Sequence, residues 1–178
     1  NYINNLHSGI SHALMDGYFQ DCISQHAFNK ILDMLTKYFI HRRYSKQDYE
    51  VVTVHIRGRD FVSLGLDSVA DVDYYRRSVN YFIDRFSVKR FAIVTDDIEY
   101  ASSIFNELSV DYSFVSSDME SDFYFISCSP YRILSSSTFA FWASALGVNP
   151  IDGCVISPQY WVPSRIRNIK LPNEVCLS

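Results

Sequence analysis

Glu50-Val51-Val52-Thr53-Val54-His55-Ile56-Arg57-Gly58-Arg59-Asp60 is a run of β-branched residues that ends in a glycine among charges. The β-branched content predicts a strand over Glu50 to Arg57, with Val52, Val54 and Ile56 on one face and Val51, Thr53, His55 and Arg57 on the other. Gly58 lets the chain turn there or approach a ligand closely. The strand therefore delivers His55 and Arg57 together to its carboxyl end.

Strand and helix patterns alternate downstream of this segment. Tyr75, Val79, Phe82, Ile83 and Phe86 make a helical stripe, Phe91 to Thr95 a short apolar strand, and Ile98, Ala101, Phe105 and Leu108 the next helix. Tyr112 to Val115 reads as a strand, Phe123 to Cys128 as a short helix, Arg132 to Leu134 as a strand, Phe139, Trp142, Ala143 and Leu146 as a helix, and Cys154 to Ser157 as a last strand. Strands separated by helices require right-handed crossovers and a mainly parallel sheet covered on both faces, a doubly wound α/β domain. Ligands of such sheets bind outside the carboxyl ends of the strands. The polar residues gather at those positions: His55, Arg57, Arg59 and Asp60 at the first strand, Asp96 and Asp97 at the second, Ser116, Ser117 and Asp118 at the third, Ser135 to Thr138 at the fourth.

Upstream, residues 1–48 read as mostly helical, with Phe28, Ile31, Leu32, Leu35 and Phe39 forming one stripe of a helix from about Gln25 to Ile40. The polar run His41 to Asp48 is an exposed connection, and its Arg42-Arg43 pair suits a solvated helix end. The whole chain of 178 residues is 48% apolar and 16% aromatic, with 16 Lys+Arg against 20 Asp+Glu, and its mean hydropathy is −0.05. This is the composition of a globular domain, and its mild net charge excludes a general nucleic-acid binder. Anions must be held by a few placed residues. The sequence shows no apolar stretch long enough to span a membrane, no signal-peptide pattern at Asn1 to Leu6 and no glycosylation acceptor. Cys22, Cys128, Cys154 and Cys176 are scattered without a C-x-x-C pair, which points to a reducing, intracellular setting and away from zinc. No G-x-G-x-x-G, Walker or G-x-S-x-G pattern occurs.

Among the candidate residues, Arg57 can hold two phosphate oxygens bidentately while Asp60 orients its guanidinium. An Arg–Asp ion pair at a strand end beside a packed histidine is the plainer reading of the same residues. Ser135-Ser136-Ser137-Thr138 precedes a helix, so one hydroxyl can cap it, and the free N–H groups there suit a phosphate. Asp71 and Asp73 read as acidic residues complementing the dipole of the next helix, and Asp96-Asp97 as either a helix cap or a ligand contact.

The order of these motifs resembles glycosyltransferase family 11, the α-1,2-fucosyltransferases of bacterial O-antigen and blood-group H synthesis. The resemblance rests on His55-Ile56-Arg57 followed by Asp60-Phe61, Thr95-Asp96-Asp97, Asp122-Phe123-Tyr124-Phe125-Ile126-Ser127, Ser136-Ser137-Thr138-Phe139-Ala140-Phe141-Trp142, and Val155-Ile156-Ser157-Pro158 with Trp161, with Gly17-Tyr18-Phe19-Gln20 upstream. It implies a two-lobed enzyme of the GT-B type whose C-terminal Rossmann-like lobe holds GDP-fucose, inverts the anomeric centre and uses no metal or other cofactor. It implies that Arg57 binds the donor β-phosphate, that His55 and Asp122 contact the guanine, and that Ser136, Ser137 and Thr138 form the turn around the phosphates; Arg59, Asp60 and Asp96 complete the expected donor site. It also implies an acceptor glycan as partner, and a cytoplasmic place at the inner face of a bacterial membrane with peripheral contact to it.

The sequence departs from the family pattern in two places. The family has Arg then Gly where this chain has Gly58 then Arg59, so the second arginine is displaced by one position. The glycine-rich G-G-L-G-N-Q segment of the N-terminal lobe is absent. The expected organisation is a helical lead-in over 1–48 and a nucleotide-sugar-binding domain over 49–178, the donor lobe of a longer parent chain.

Overall fold

The structure, a computed structural model, describes residues 23–36, 46–147 and 151–177. The expected segments Gly17 to Gln20 and Arg42-Arg43, and Phe39 of the first stripe, lie outside the described residues.

Six parallel strands form the central sheet: β1 (Val51–Ile56), β2 (Arg90–Thr95), β3 (Asp111–Phe114), β4 (Tyr131–Ile133), β5 (Cys154–Pro158) and β8 (Glu174–Leu177). Their spatial order is β3-β2-β1-β4-β5-β8. That is the order 3-2-1-4-5-6 of a doubly wound Rossmann-type sheet. The succession reverses direction between β1 and β4, so their carboxyl ends frame a crevice. β6 (Tyr160–Val162) and β7 (Arg165–Ile166) make a separate antiparallel hairpin.

Helices cover both faces, and each face has its own core. On one side α3 (Val72–Phe86) and α4 (Ile98–Asn106) pack Tyr75, Val79, Phe82 and Phe105 onto Val52, Val54, Ile56, Phe91 and Ile93. On the other, α1 (Gln25–Leu35), α5 (Met119–Ser127) and α6 (Thr138–Leu146) pack Phe28, Leu32, Ile126 and Phe141 onto Val94, Val155 and Leu134. β1 is buried on both faces, which a strand in the middle of a parallel sheet requires. α1 docks on α6 through Phe28, whose ring lies 5.5 Å from Phe141 and 5.8 Å from Trp142. No described helix is long and apolar enough to cross a membrane.

The structure corrects the sequence reading at several boundaries. α5 begins at Met119, because Asp118 caps it by accepting from the Glu120 and Ser121 N–H groups. Ile98 sits in the first turn of α4 but is 56% exposed, and Ile104, which the stripe leaves out, is buried with Ala101 and Phe105. Leu35 is exposed where the first stripe expects it inside, and the described part of α1 covers Gln25–Leu35, the expected stretch toward Ile40 lying outside the described residues. The series also does not close at β5, since β8 adds a sixth strand. A short helix, α2 (Arg59–Ser63), succeeds the Gly58 turn.

Candidate functional site

A cleft of ≈1260 Å³ opens at the carboxyl ends of the strands. His55, Arg57, Arg59, Asp60, Asp96, Asp122, Ser136, Ser137 and Thr138 all line it. The chain thus brings every expected donor-site residue to one place, across sequence separations that only the sheet order can close.

The loop after β1 forms the charged wall. Arg57 donates from Nε to Asp60 Oδ1 at 3.0 Å, and its Nη1 forms an ion pair with Asp96 Oδ2 at 2.9 Å. Both readings of this segment are therefore present: Asp60 orients the guanidinium, and an Arg–Asp pair sits beside a packed histidine. Arg57 still has a 35% exposed side chain, so its remaining N–H groups reach the cleft. Its hydrogen bond holds the Asp60 carboxyl below the usual carboxylate range.

Gly58 is demanded by crowding. A Cβ at this position would stand 2.3 Å from Asp97 Cβ, closer than carbon atoms tolerate. Its N–H donates to Asp96 Oδ1 at 2.8 Å, and the Arg59 N–H donates to Asp97 Oδ2 at 3.3 Å. Asp97 also caps α4 by accepting from the Tyr100 N–H at 3.0 Å. These amide donors, Tyr100 first, lower the Asp97 pKa. Of the two readings of the Asp96-Asp97 pair, the cap is taken by Asp97, while Asp96 lines the cleft and holds the arginine loop through Gly58 and Arg57. Arg59 adopts φ +34°, a left-handed conformation costly for a side chain with a Cβ. The displaced arginine nevertheless faces the same cleft as Arg57.

The start of α6 forms the opposite wall, and it is neutral. Ser137 occupies the N-cap position but makes no side-chain cap hydrogen bond, and the first turn of α6 carries no acidic residue. This corrects the expectation that one of the four hydroxyls caps the helix. Asp71, Asp97 and Asp118 cap α3, α4 and α5. The first-turn N–H groups of α6 are left for an outside acceptor, with the helix dipole behind them. Asp71 and Asp73 take the bland role expected of them, the first as cap and the second paired with Arg76.

His55 joins the two walls. Its Nδ1 lies 2.8 Å from Ser135 Oγ, and its ring lies 5.9 Å from that of Phe139. Burial first, and the neighbouring Arg57 charge second, lower its pKa to about 3, so the ring is neutral. Asp122, on α5, accepts from the Ser117 N–H at 2.9 Å and has its carboxylate at the cleft.

Some lining residues were not expected. Leu64, Ile98 and Met119 are exposed apolar residues at the rim, and the β6–β7 hairpin adds Trp161 and Arg165. Trp161 stands in a motif carrying the resemblance, without a site role expected of it. The rim residues leave no signal, because an apolar side chain in a helix pattern looks like a core residue until the helix is placed. Among the described residues no group of three or more His, Cys, Asp or Glu side chains is arranged to hold a metal ion.

Comparison with known proteins gives the same direction. The family model of glycosyl transferase family 11 matches residues 1–173. An alpha-1,2-colitosyltransferase of Escherichia coli is 33% identical over 118 residues, 62% of this chain and 40% of that protein. The O-antigen biosynthesis glycosyltransferase WbnK of Escherichia coli is 22% identical over 138 residues, 74% of this chain and 45% of that protein. The matched stretches span less than half the length of either relative. With a family match over nearly its full length, and its motifs gathered around one cleft of a Rossmann-type sheet, the chain belongs to glycosyl transferase family 11.

Proposed function

We propose that the cleft binds GDP-fucose and that the chain, with residues 1–48 as lead-in and 49–178 as nucleotide-sugar domain, supplies the donor lobe of an inverting α-1,2-fucosyltransferase acting on a glycan hydroxyl. The observation that carries this reading is the pairing of an arginine and an uncapped helix start across the crevice between β1 and β4. A nucleoside diphosphate suits that crevice: its phosphates take the charge, and its base reaches along the floor toward His55 and Asp122.

In the reaction an acceptor oxygen forms a bond to C1 of fucose while the bond from C1 to the β-phosphate oxygen breaks. The electron pair of the broken bond passes to the phosphate, and the acceptor proton passes to a base. Negative charge therefore grows on the β-phosphate in the transition state. Arg57 and the α6 amides, aimed there in advance, stabilise that state more than the ground state. In this reading the charge needs no metal or cofactor.

A second donor sugar has its own support. The relative named for colitose transfer favours a transferase that uses another nucleotide sugar in the same cleft. The relative named for O-antigen biosynthesis supports a bacterial surface-glycan acceptor, and with it work at the inner face of the membrane. Calorimetry with GDP, GDP-fucose and UDP, then turnover against an acceptor panel, separates these readings. Guanine-selective binding with fucose transfer is the expected result; UDP preference overturns the donor assignment, and binding without transfer to any acceptor leaves only a nucleotide-binding domain.

A further inference from the structure

Behind the cleft lies a small cavity of about 10 Å³ whose lining includes Ser136, Trp161 and Arg167. Each of these residues has a buried polar atom without a hydrogen-bond partner: Ser136 Oγ, Trp161 Nε1 and Arg167 Nε. The residues are only 6%, 4% and 8% exposed. Unsatisfied donors at such depth are costly, and three on one cavity indicate a shared acceptor.

The chemistry of the three groups restricts the occupant. An indole N–H and a guanidinium Nε–H can only donate, whereas a serine hydroxyl can donate or accept. The occupant must therefore accept two hydrogen bonds and can give one. The cavity volume is that of a single water. An anion is disfavoured, because the charge of Arg167 is already matched: its Nη2 pairs with Glu174 Oε1 and donates to Ser157 Oγ at 2.6 Å. Glu174 Oε2 in turn accepts from the Leu171 N–H at 2.7 Å. The guanidinium carbon also lies 5.6 Å from the ring centres of both Phe141 and Trp161, so the direction of its free Nε–H is set on every side.

We propose that one water is bound by Ser136 Oγ, Trp161 Nε1 and Arg167 Nε, and that Arg167 is thereby a positioning residue for the cleft. Ser136 and Trp161 line the cleft and Arg167 does not. Arg167 holds the plane of the Trp161 ring by stacking and the Ser136 hydroxyl through the water. The carboxyl-end strands β5 and β8, which carry Ser157 and Glu174, are in this way coupled to the start of α6. The first arm of the test is independent of the nucleotide reading, and the second rests on it.

A crystal structure of the protein without nucleotide should show one ordered solvent peak about 3 Å from all three atoms. Arg167→Lys keeps a charge beside Glu174 and removes the Nε–H; Trp161→Phe keeps a ring and removes the indole N–H. Both variants should lose the peak. Arg167→Lys should also weaken GDP binding about tenfold, the cost of one hydrogen bond near a charged group, and should lower the melting temperature because the ammonium cannot reproduce the guanidinium's buried partners. If Arg167→Lys does not fold, Trp161→Phe reads the same water. A dry cavity in the nucleotide-free protein overturns the proposal, even if a ligand oxygen enters later. So does a peak that survives in both variants, or a GDP affinity that Arg167→Lys leaves unchanged. Absence of GDP binding by the unaltered protein defeats the nucleotide reading and leaves the crystallographic arm standing.

Discussion

Across the cleft, the loop after β1 and the start of α6 present charge by different means. The loop carries Arg57 and Arg59 among Asp60, Asp96 and Asp97: the Arg57 guanidinium pairs with Asp60 and Asp96, and the Arg59 backbone N–H donates to Asp97. The α6 wall carries no formal charge, and its amides and hydroxyls have no acidic cap to compete for them. The loop wall gains orientation and gives up net potential, while the α6 wall keeps its full dipole. A diphosphate between them would exchange carboxylate contacts for phosphate contacts on one side and fill open donors on the other. Under the proposed nucleotide reading, this division would let a chain of net charge −4 hold a strongly anionic ligand.

The largest effect is expected from breaking the loop wall. Arg57→Ala in the full-length enzyme should reduce transfer at least a hundredfold, since one preorganised donor to developing charge is worth about 3 to 4 kcal/mol. Its melting temperature should change little, because the side chain is part exposed. Near-normal turnover would remove Arg57 from the mechanism.

The link between the walls is titratable. His55 has its folded pKa depressed to about 3 from 6.5, so the folded protein binds this proton later than the unfolded chain does. The stabilisation is complete above about pH 6.5 and is lost as pH falls toward 3, amounting to about 2 kcal/mol by pH 5. Denaturant unfolding at a series of pH values checks this, and His55→Gln should flatten that part of the curve. An equal slope in the variant would assign it to other groups.

The Gly58 turn is a smaller lever. Gly58→Ala drives a methyl group into Asp97 and should destabilise the fold by about 1 to 3 kcal/mol, with looser nucleotide binding. Unchanged urea midpoint and affinity would show that the loop can shift freely. Smallest of all, Arg59→Gly should raise stability by about 1 kcal/mol, because glycine occupies the left-handed φ without strain. The same change should weaken GDP binding by removing a cation from the cleft. The two effects have opposite signs, which separates strain held for function from an indifferent turn.

Much of this was legible in the sequence because local pattern and global position agree. β1 reads as a strand from its β-branched run, and a parallel sheet gathers the loops at the strands' carboxyl ends along one edge. That was enough to place Arg57, Asp96 and Ser136 together without knowing any contact between them. The sixth strand was not legible: Glu174-Val175-Cys176-Leu177 is short and lacks alternation, and its glutamate is buried only because Arg167 reaches it from another segment. The division of labour among Ser135, Ser136 and Ser137 was equally hidden. It depends on His55, eighty positions away, taking the first hydroxyl. Arg57 is likewise shared between a neighbour at Asp60 and a distant Asp96, and only the first pairing has a local signature.

Isothermal titration of GDP into the unaltered protein and into Arg57→Ala tests the nucleotide cleft most directly. Saturable binding to the unaltered protein, weakened about tenfold or more in the variant, is the expected result, since hydrogen bonds to charged groups contribute about 1.5 to 3 kcal/mol. No binding, or binding that Arg57→Ala leaves unchanged, would contradict a phosphate site built between the β1 loop and the start of α6.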